Sequence, residues 1–256
     1  MLFDTHCHLN SKRYEEVETL IKKANLAGIS KIIVPGYDLM SSYDAKVLSE
    51  KHPFIYPAFG IHPSEADKIT NMDLENLTNL STNNPCIAIG EAGLDYYWQK
   101  DNKEVQMRIF KFQIELALRL DKPIIVHMRD SVQDCYDILK SYSGKLKGVM
   151  HCYSGSMEMA KKFIELGLYI SIAGPVTYKN AKETVKVVEN IDLNYLLIET
   201  DCPYLAPEPL RGKINEPIFL EYIAKKIAEI RNISFEEASK ITYRNALRCF
   251  GLEKGE

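Results

Sequence analysis

The chain has 256 residues, of which 46% are hydrophobic and 26% charged, and its net charge is −3. This composition is typical of a globular protein with a large buried core, and it gives no global basic field that would attract nucleic acid. The sequence contains neither a run of 18 apolar residues nor a basic-then-apolar leader. We therefore expect no membrane span and no signal peptide, and we predict a cytoplasmic protein.

Short apolar runs rich in β-branched residues recur along the chain, with stretches of helical periodicity between most of them. The predicted strands are residues 2–8, 31–36, 55–60, 86–91, 123–127, 147–151, 168–173 and 195–201. One apolar stripe in 101–120 predicts a helix with Asp101 as its N-cap. Two further helices are predicted near the end, one from about Pro217 and one from Ser234, which begins a capping box with Glu237.

Eight strands that alternate with helices favour a parallel (β/α)₈ TIM barrel over an open sheet. The sequence shows no linker, internal repeat or low-complexity segment. We therefore predict that residues 1–256 form a single domain, with an active site at the C-terminal ends of the strands.

Five of the eight predicted strands end in residue types that bind metals. These residues are His6, His8, Glu91, His127, His151 and Asp201. Four imidazoles and two carboxylates exceed the needs of one tetrahedral site, so they favour two adjacent divalent cations with a bridging carboxylate. Taken singly, His127 could instead be a core histidine, and Glu91 could pair with an arginine. The metal could be Mg²⁺, Mn²⁺ or Zn²⁺, because such donors accept several cations.

The two remaining histidines lie at opposite ends of the predicted third strand. His62 follows this strand and faces the barrel mouth, where it could bind substrate, orient a metal ligand or have only a structural role. His52 precedes the strand and is predicted to be a surface residue. The contrast makes His52 a natural control for His62.

Basic residues also fall in the loops of the predicted mouth. Arg129 follows His127 by two residues, and Arg211 and Lys213 lie in the long segment 202–214. Arginine suits phosphate because its fork of N–H groups gives bidentate hydrogen bonds. We predict substrate binding by Arg129 and Arg211, with solvated surface charge as the alternative.

Aromatic residues near the same rim admit two interpretations. Tyr96, Tyr97, Trp98 and Tyr204 could stack nucleobases. They could equally cover the barrel core, and we favour that role for Tyr97 and Trp98.

The six cysteines are scattered and form no Cys-x-x-Cys motif, which indicates reduced thiols. Cys7, Cys152 and Cys202 each follow a predicted metal ligand directly. Since neighbouring strand residues face opposite sides, we expect these three thiols to pack against the helix layer.

Seven short segments together resemble the TatD family of metal-dependent hydrolases, within the amidohydrolase-like barrels. They are residues 4–8 (DTHCH), 60–63 (GIHP), 90–95 (GEAGLD), 127–129 (HMR), 151–155 (HCYSG), 197–204 (LIETDCPY) and 211–217 (RGKINEP). They span nearly the whole chain in the family's order, and no ligand position is missing.

The resemblance implies a deoxyribonuclease-type phosphodiesterase that acts on DNA ends in the 3′→5′ direction with two divalent metals. One metal would be held by His6, His8 and Asp201 and the other by His127 and His151. Glu91 would bridge them, where many relatives in the superfamily use a carboxylated lysine. Asp95 and Glu199 would support the ligands, although Glu199 could also face the barrel interior.

The chemistry of the residues leaves the substrate open. The leading hypothesis is hydrolysis of DNA or a short nucleotide, with Asp201 as the catalytic proton acceptor. An alternative is hydrolysis of a small-molecule amide or ester, or of an aminoacyl ester, by the same binuclear site. A barrel that binds metal or a partner without turnover is a third interpretation, disfavoured by the complete ligand set and the candidate base. No obligate protein partner is predicted.

Overall fold

Eight parallel strands lie side by side in chain order in the computed structural model, which describes residues 1–253. The strands are Leu2–Asp4 (β1), Ile29–Pro35 (β2), Ile55–Phe59 (β3), Ala88–Asp95 (β4), Ile124–Arg129 (β5), Gly148–Met150 (β6), Leu168–Ile172 (β7) and Leu196–Ile198 (β8). Their apolar, β-branched composition suits strands that are buried on both faces. The arrangement confirms the predicted barrel.

Nine α-helices lie among residues 1–253 and surround the strands. They are Val17–Leu26 (α1), Leu39–Lys51 (α2), Asn71–Asn83 (α3), Lys103–Arg119 (α4), Val132–Lys140 (α5), Met157–Glu165 (α6), Lys182–Asn190 (α7), Leu220–Arg231 (α8) and Phe235–Cys249 (α9). Short 3₁₀ turns cover Pro63–Lys68, Gly174–Thr177, Leu193–Tyr195 and Pro217–Phe219.

Helix termini agree with the sequence prediction at some positions and not at others. The Ser234 side chain accepts a hydrogen bond from the backbone N of Glu237, which is one of the two bonds of the predicted capping box. Asp101, in contrast, does not cap α4. That helix begins at Lys103 behind Asn102, whose side chain bonds to Gln106. Pro217 begins a 3₁₀ turn, and α8 follows it from Leu220.

The barrel closes between β1 and β8 through residues beyond the ends of both strands. The backbone N of Asp201 donates to the carbonyl of His6 at 2.9 Å, and the backbone N of His8 donates to the carbonyl of Cys202 at 2.8 Å. Cys7 and Cys202 form a parallel bridge between these bonds. The seam of the barrel is therefore built from the two segments that carry predicted metal ligands.

The barrel interior is a packed core below its mouth. One residue from each of seven strands meets there with the end of α9, namely Phe3, Ile33, Ala58, Ala88, Ile125, Val149, Leu197, Ala246, Cys249 and Phe250. The Cys249 thiol donates to the carbonyl of Gly148 at the start of β6, so α9 covers the amino-terminal end of the strands. Only the carboxyl end is left for a site.

Candidate metal centre

The six predicted metal ligands lie together at the carboxyl ends of five strands. His6 and His8 follow β1, Glu91 lies within β4, and His127 lies within β5. His151 directly follows β6, and Asp201 follows β8 by three residues. Side chains so far apart in sequence become neighbours because every strand of a parallel barrel ends on the same rim.

His6 and His8 point their rings at one another. Their Nε2 atoms are 3.1 Å apart, and both side chains are buried. Burial lowers the pKa of His8 to about 3, so this ring is neutral near pH 7. A neutral imidazole is the form that binds a metal, and two nitrogens so close favour a shared cation.

Asp201 completes this side of the centre. Its Oδ1 lies 3.6 Å from Nε2 of His8 and 3.9 Å from Nε2 of His6. Its φ of +53° is in the left-handed region that a side chain with a Cβ rarely adopts, and such strain is common at functional sites. Burial raises the pKa of Asp201 to about 6, although His151 and His6 oppose the shift.

Glu91 directs its two oxygens to different pairs of histidines. Its Oε2 is 3.3 Å from Nε2 of His6 and 3.5 Å from Nε2 of His8. Its Oε1 is 2.9 Å from Nδ1 of His127 and 3.2 Å from Nε2 of His151. This is the arrangement expected of a carboxylate that bridges two cations.

The backbone beside Glu91 is held tightly in place. Its N–H donates to the carbonyl of Gly36 at 2.8 Å. A Cβ on Gly60 would lie 2.3 Å from the carbonyl carbon of Gly90, so only glycine fits next to this peptide. Burial raises the pKa of the Glu91 carboxyl, but the histidines around it, His151 first, lower it to well below its usual value. Glu91 is therefore an anion enclosed by imidazoles.

His127 and His151 each have a carboxylate behind the ring. Asp95 Oδ2 is 3.1 Å from Nε2 of His127, and Glu199 Oε1 is 2.8 Å from Nδ1 of His151. Burial lowers the pKa of His151, but Glu199 and Glu91 outweigh it and raise the pKa well above its usual value. Such carboxylate partners are typical of metal-binding histidines. Glu199 thus faces the barrel interior and also supports a predicted ligand.

His6 and His8 have no such carboxylate partner in the part of the chain that the structure describes. Their Nδ1 atoms are buried, and within residues 1–253 neither has a hydrogen-bond partner. The donor atoms nevertheless fit divalent cations. His6, His8 and Asp201 offer donors within 4.8 Å of one another, and so do Glu91, His127 and His151.

His62 lies on the cleft side of Glu91. Its Nδ1 accepts a hydrogen bond from the backbone N of Ser64 at 3.1 Å, so the ring proton resides on Nε2. That Nε2 is 3.5 Å from Oε1 of Glu91. Burial lowers the pKa of His62 to about 3, which keeps the ring neutral. His62 is therefore placed as a hydrogen-bond donor in the cleft.

His52 lies away from this centre, at the end of α2. Its Nε2 is 3.1 Å from Oε2 of Glu18, and its side chain is 20% exposed. The structure thus separates the two histidines as the sequence suggests.

A cleft of about 630 Å³ opens above the predicted metal ligands. Its lining includes Arg129, Trp98 and Tyr204. Arg211 is not among the lining residues. Its guanidinium lies 4.4 Å from the ring centre of Tyr178, so its predicted contact with substrate stays a prediction.

The aromatic residues after β4 separate into buried and exposed ones. Tyr96 is buried and donates its hydroxyl to Asp134. Tyr97 is 49% exposed and Trp98 is 68% exposed. The expectation that these two cover the barrel core is therefore wrong, because Tyr96 alone turns inward at this position.

The three cysteines beside the predicted ligands differ in their surroundings. The sulfur atoms of Cys7 and Cys202 contact each other across the seam, and their Cα atoms are 5.0 Å apart. Both are fully buried and lie, as expected, in the cluster that joins the strands to the surrounding helices. Cys152 is free and has a φ of +43°, and its backbone N donates to Glu199.

A family model described as TatD-related DNase matches residues 3–251. The chain belongs to the TatD family. It is 44% identical over 252 residues to the uncharacterized metal-dependent hydrolase YabD of Bacillus subtilis, covering 98% of this chain and 99% of that protein. It is also 34% identical over 266 residues to YcfH of Escherichia coli, another uncharacterized metal-dependent hydrolase, with 98% and 96% covered.

Solved structures of TatD proteins share the fold. The TatD homologue YjjV of Escherichia coli matches with a TM-score of 0.94, 30% identity and 98% of each chain covered. A TatD-family hydrolase of Entamoeba histolytica matches with a TM-score of 0.88, 25% identity and 97% of each chain covered. These likenesses and the clustered donors make this TatD-family chain a metal-dependent hydrolase that binds divalent metal.

No helix between residues 1 and 253 is both long and apolar enough to cross a membrane.

Proposed function

We propose that this chain hydrolyses phosphodiester bonds in DNA or short nucleotides, as a 3′→5′ exonuclease that uses two divalent cations. The proposal is carried by the position of the Glu91 carboxylate between two pairs of histidines. Its Oε2 faces His6 and His8, and its Oε1 faces His127 and His151. Two cations bridged by a carboxylate activate water and stabilise the attacking and leaving oxygens of a phosphoryl displacement.

The surrounding residues supply complementary roles. His6, His8 and Asp201 would hold one cation, and His127 and His151 would hold the other. Asp201 is the candidate catalytic residue, because its carboxylate borders the cleft and can accept a proton from the attacking water.

Two further side chains would act on the phosphate itself. Arg129 lines the cleft and offers a cation to the phosphoryl oxygens, and His62 offers the Nε2 proton. Both groups favour an anionic substrate over a neutral amide or ester. For this reason we propose a phosphodiester, and not a neutral amide or ester, as the substrate.

The decisive test is metal-by-metal reactivation. The purified protein is treated with chelator and then given Mg²⁺, Mn²⁺ or Zn²⁺ separately, with an end-labelled single-stranded oligonucleotide as substrate. We expect stepwise shortening from the 3′ end, lost in chelator and in the Asp201→Asn variant. A parallel panel contains an ester, an amide and an aminoacyl ester. Turnover of that panel without cleavage of DNA would support the alternative function and overturn this one.

A further inference from the structure

Trp98 is an exposed aromatic residue at the edge of the cleft. It is the only tryptophan of the chain, and 68% of its surface is open to solvent. It lines the same cleft as Asp201, His127 and Arg129. A large aromatic ring left in water beside a catalytic cleft is a candidate binding surface.

The backbone of Trp98 is fixed to the metal centre through Asp95. One carboxylate oxygen of Asp95, Oδ1, accepts hydrogen bonds from the backbone N of Tyr97 at 2.9 Å and of Trp98 at 3.0 Å. The other oxygen, Oδ2, lies 3.1 Å from Nε2 of His127. The position of the exposed ring is therefore tied to that of a metal ligand.

Neighbouring side chains fix the orientation of the ring. Tyr97 meets Trp98 edge to face, with ring centres 4.8 Å apart and planes at 90°. The Arg129 guanidinium lies 4.0 Å from the ring centre of Tyr97 and 5.5 Å from that of Trp98. On the far side of the loop, the Gln99 side chain donates to the carbonyl of Ser64. The ring is thus exposed yet held.

We propose that Trp98 is a stacking platform for an unpaired nucleobase of the substrate, with Arg129 beside it for the neighbouring phosphate. The inference rests on the proposed phosphodiesterase function for its substrate. Nucleobases stack on aromatic rings whatever their sequence, and a cation beside the platform tracks the backbone. A base inside a duplex already has both faces covered, so the platform selects single-stranded ends and short nucleotides.

Fluorescence offers a direct test, because Trp98 is the only tryptophan. A single-stranded oligonucleotide with slowly cleaved phosphorothioate linkages is added to the metal-loaded protein, and a second one of equal length and charge carries abasic sites. We expect the base-bearing oligonucleotide to quench the emission and the abasic one to quench it weakly. Equal quenching by both, or none by either, would overturn the platform.

Kinetics separate binding from a merely structural role. For a single-stranded DNA substrate, Trp98→Ala is expected to raise KM by about tenfold with little change in kcat, because stacking contributes equally before and during the reaction. Trp98→Phe should recover most of the loss. On abasic substrate, wild type and Trp98→Ala should have the same KM. An equal loss on both substrates would mean that the substitution damaged the fold of the cleft.

Tyr43→Ala is the matched control. Tyr43 lies on α2, is 52% exposed, and has the Lys46 amine 5.4 Å from its ring centre, yet it does not line the cleft. This variant should leave KM unchanged. If the protein cleaves no phosphodiester at all, the proposed function fails, and the quenching experiment alone then decides the role of Trp98.

Discussion

Nδ1 of His151 lies 2.8 Å from Oε1 of Glu199. The same oxygen accepts a hydrogen bond from the backbone N of Cys152 at 2.7 Å. A buried carboxylate therefore fixes both the ring of a predicted metal ligand and the strained peptide that follows it. Glu199 therefore does more than fill space inside the barrel, because it also orients His151.

Glu199→Gln should weaken metal binding without unfolding the protein. The amide keeps the shape of the side chain but removes the charge that orients His151, and loss of such partners typically costs about 10–100-fold in metal affinity or activity. Metal content after dialysis and the rate of DNA hydrolysis report the effect. Glu165→Gln, an exposed position at the end of α6, is the control. Unchanged metal affinity would show that Glu199 serves packing alone.

Glu91→Ala should abolish hydrolysis and reduce the bound metal to below two ions per chain. The substitution removes a donor from both halves of the centre, whereas Asp201→Asn changes only the half with His6 and His8. Both variants should stay folded, as circular dichroism can verify. Elemental analysis then counts the metals. Full activity of either variant would contradict the two-cation proposal.

His62→Ala should lower kcat/KM for DNA by about 10–100-fold, the usual cost of a lost hydrogen bond to a charged group. The reason is the Nε2 proton, which the Ser64 contact directs into the cleft. His52→Ala should not change turnover, because His52 contacts Glu18 outside the barrel mouth. A large loss at His52, or none at His62, would contradict these placements.

Arg129→Ala should weaken the hydrolysis of phosphate-bearing substrates more than Arg211→Ala does. Arg129 lines the cleft, whereas Arg211 packs on Tyr178. A DNA substrate and an uncharged ester are compared for each variant. If Arg211→Ala gives the larger loss on DNA alone, the segment 202–214 closes on the substrate as the sequence predicts.

The free energy of unfolding should fall as the pH rises, because the buried Asp4 carboxyl must then lose its proton. Burial raises the pKa of Asp4 to about 8, despite hydrogen bonds from Thr200 and His6, whereas an unfolded aspartate titrates near 3.8. Between these values the folded state binds the extra proton, so this group costs roughly 1.4 kcal/mol of stability per pH unit as pH rises.

The Asp4→Asn variant removes this pH dependence, since asparagine stays neutral. Urea unfolding at pH 5, 6.5 and 8 should show the variant gaining stability relative to wild type at each step. A constant difference between the two proteins would show that Asp4 is ionised throughout.

Much of the fold follows from local sequence pattern. Apolar β-branched runs locate all eight strands, and the barrel then brings His127 and His151 together although they are 24 positions apart. Strand ends are less predictable. The run 2–8 reads as one strand, but β1 ends at Asp4 because the seam beyond it pairs with residues after β8.

The contacts that hold the predicted ligands in place are harder to predict from the sequence than the ligands themselves. Glu199 lies two residues before Asp201, and alternation would put both on one face of a strand. In the structure β8 ends at Ile198, before both residues, and Glu199 contacts His151 whereas Asp201 lies near His8. The contact between Cys7 and Cys202 spans 195 positions, a separation that no local pattern covers. No local pattern records the exposure of Trp98.

The seam between β1 and β8 has a consequence for synthesis of the protein. His6 and His8 leave the ribosome early, whereas Asp201 and Cys202 follow about 195 residues later. Only then can the backbone hydrogen bonds form from His8 to Cys202 and from Asp201 to His6. A partly made chain holds imidazoles without the closing carboxylate. Hydrolytic activity should therefore appear only once translation has passed the eighth strand.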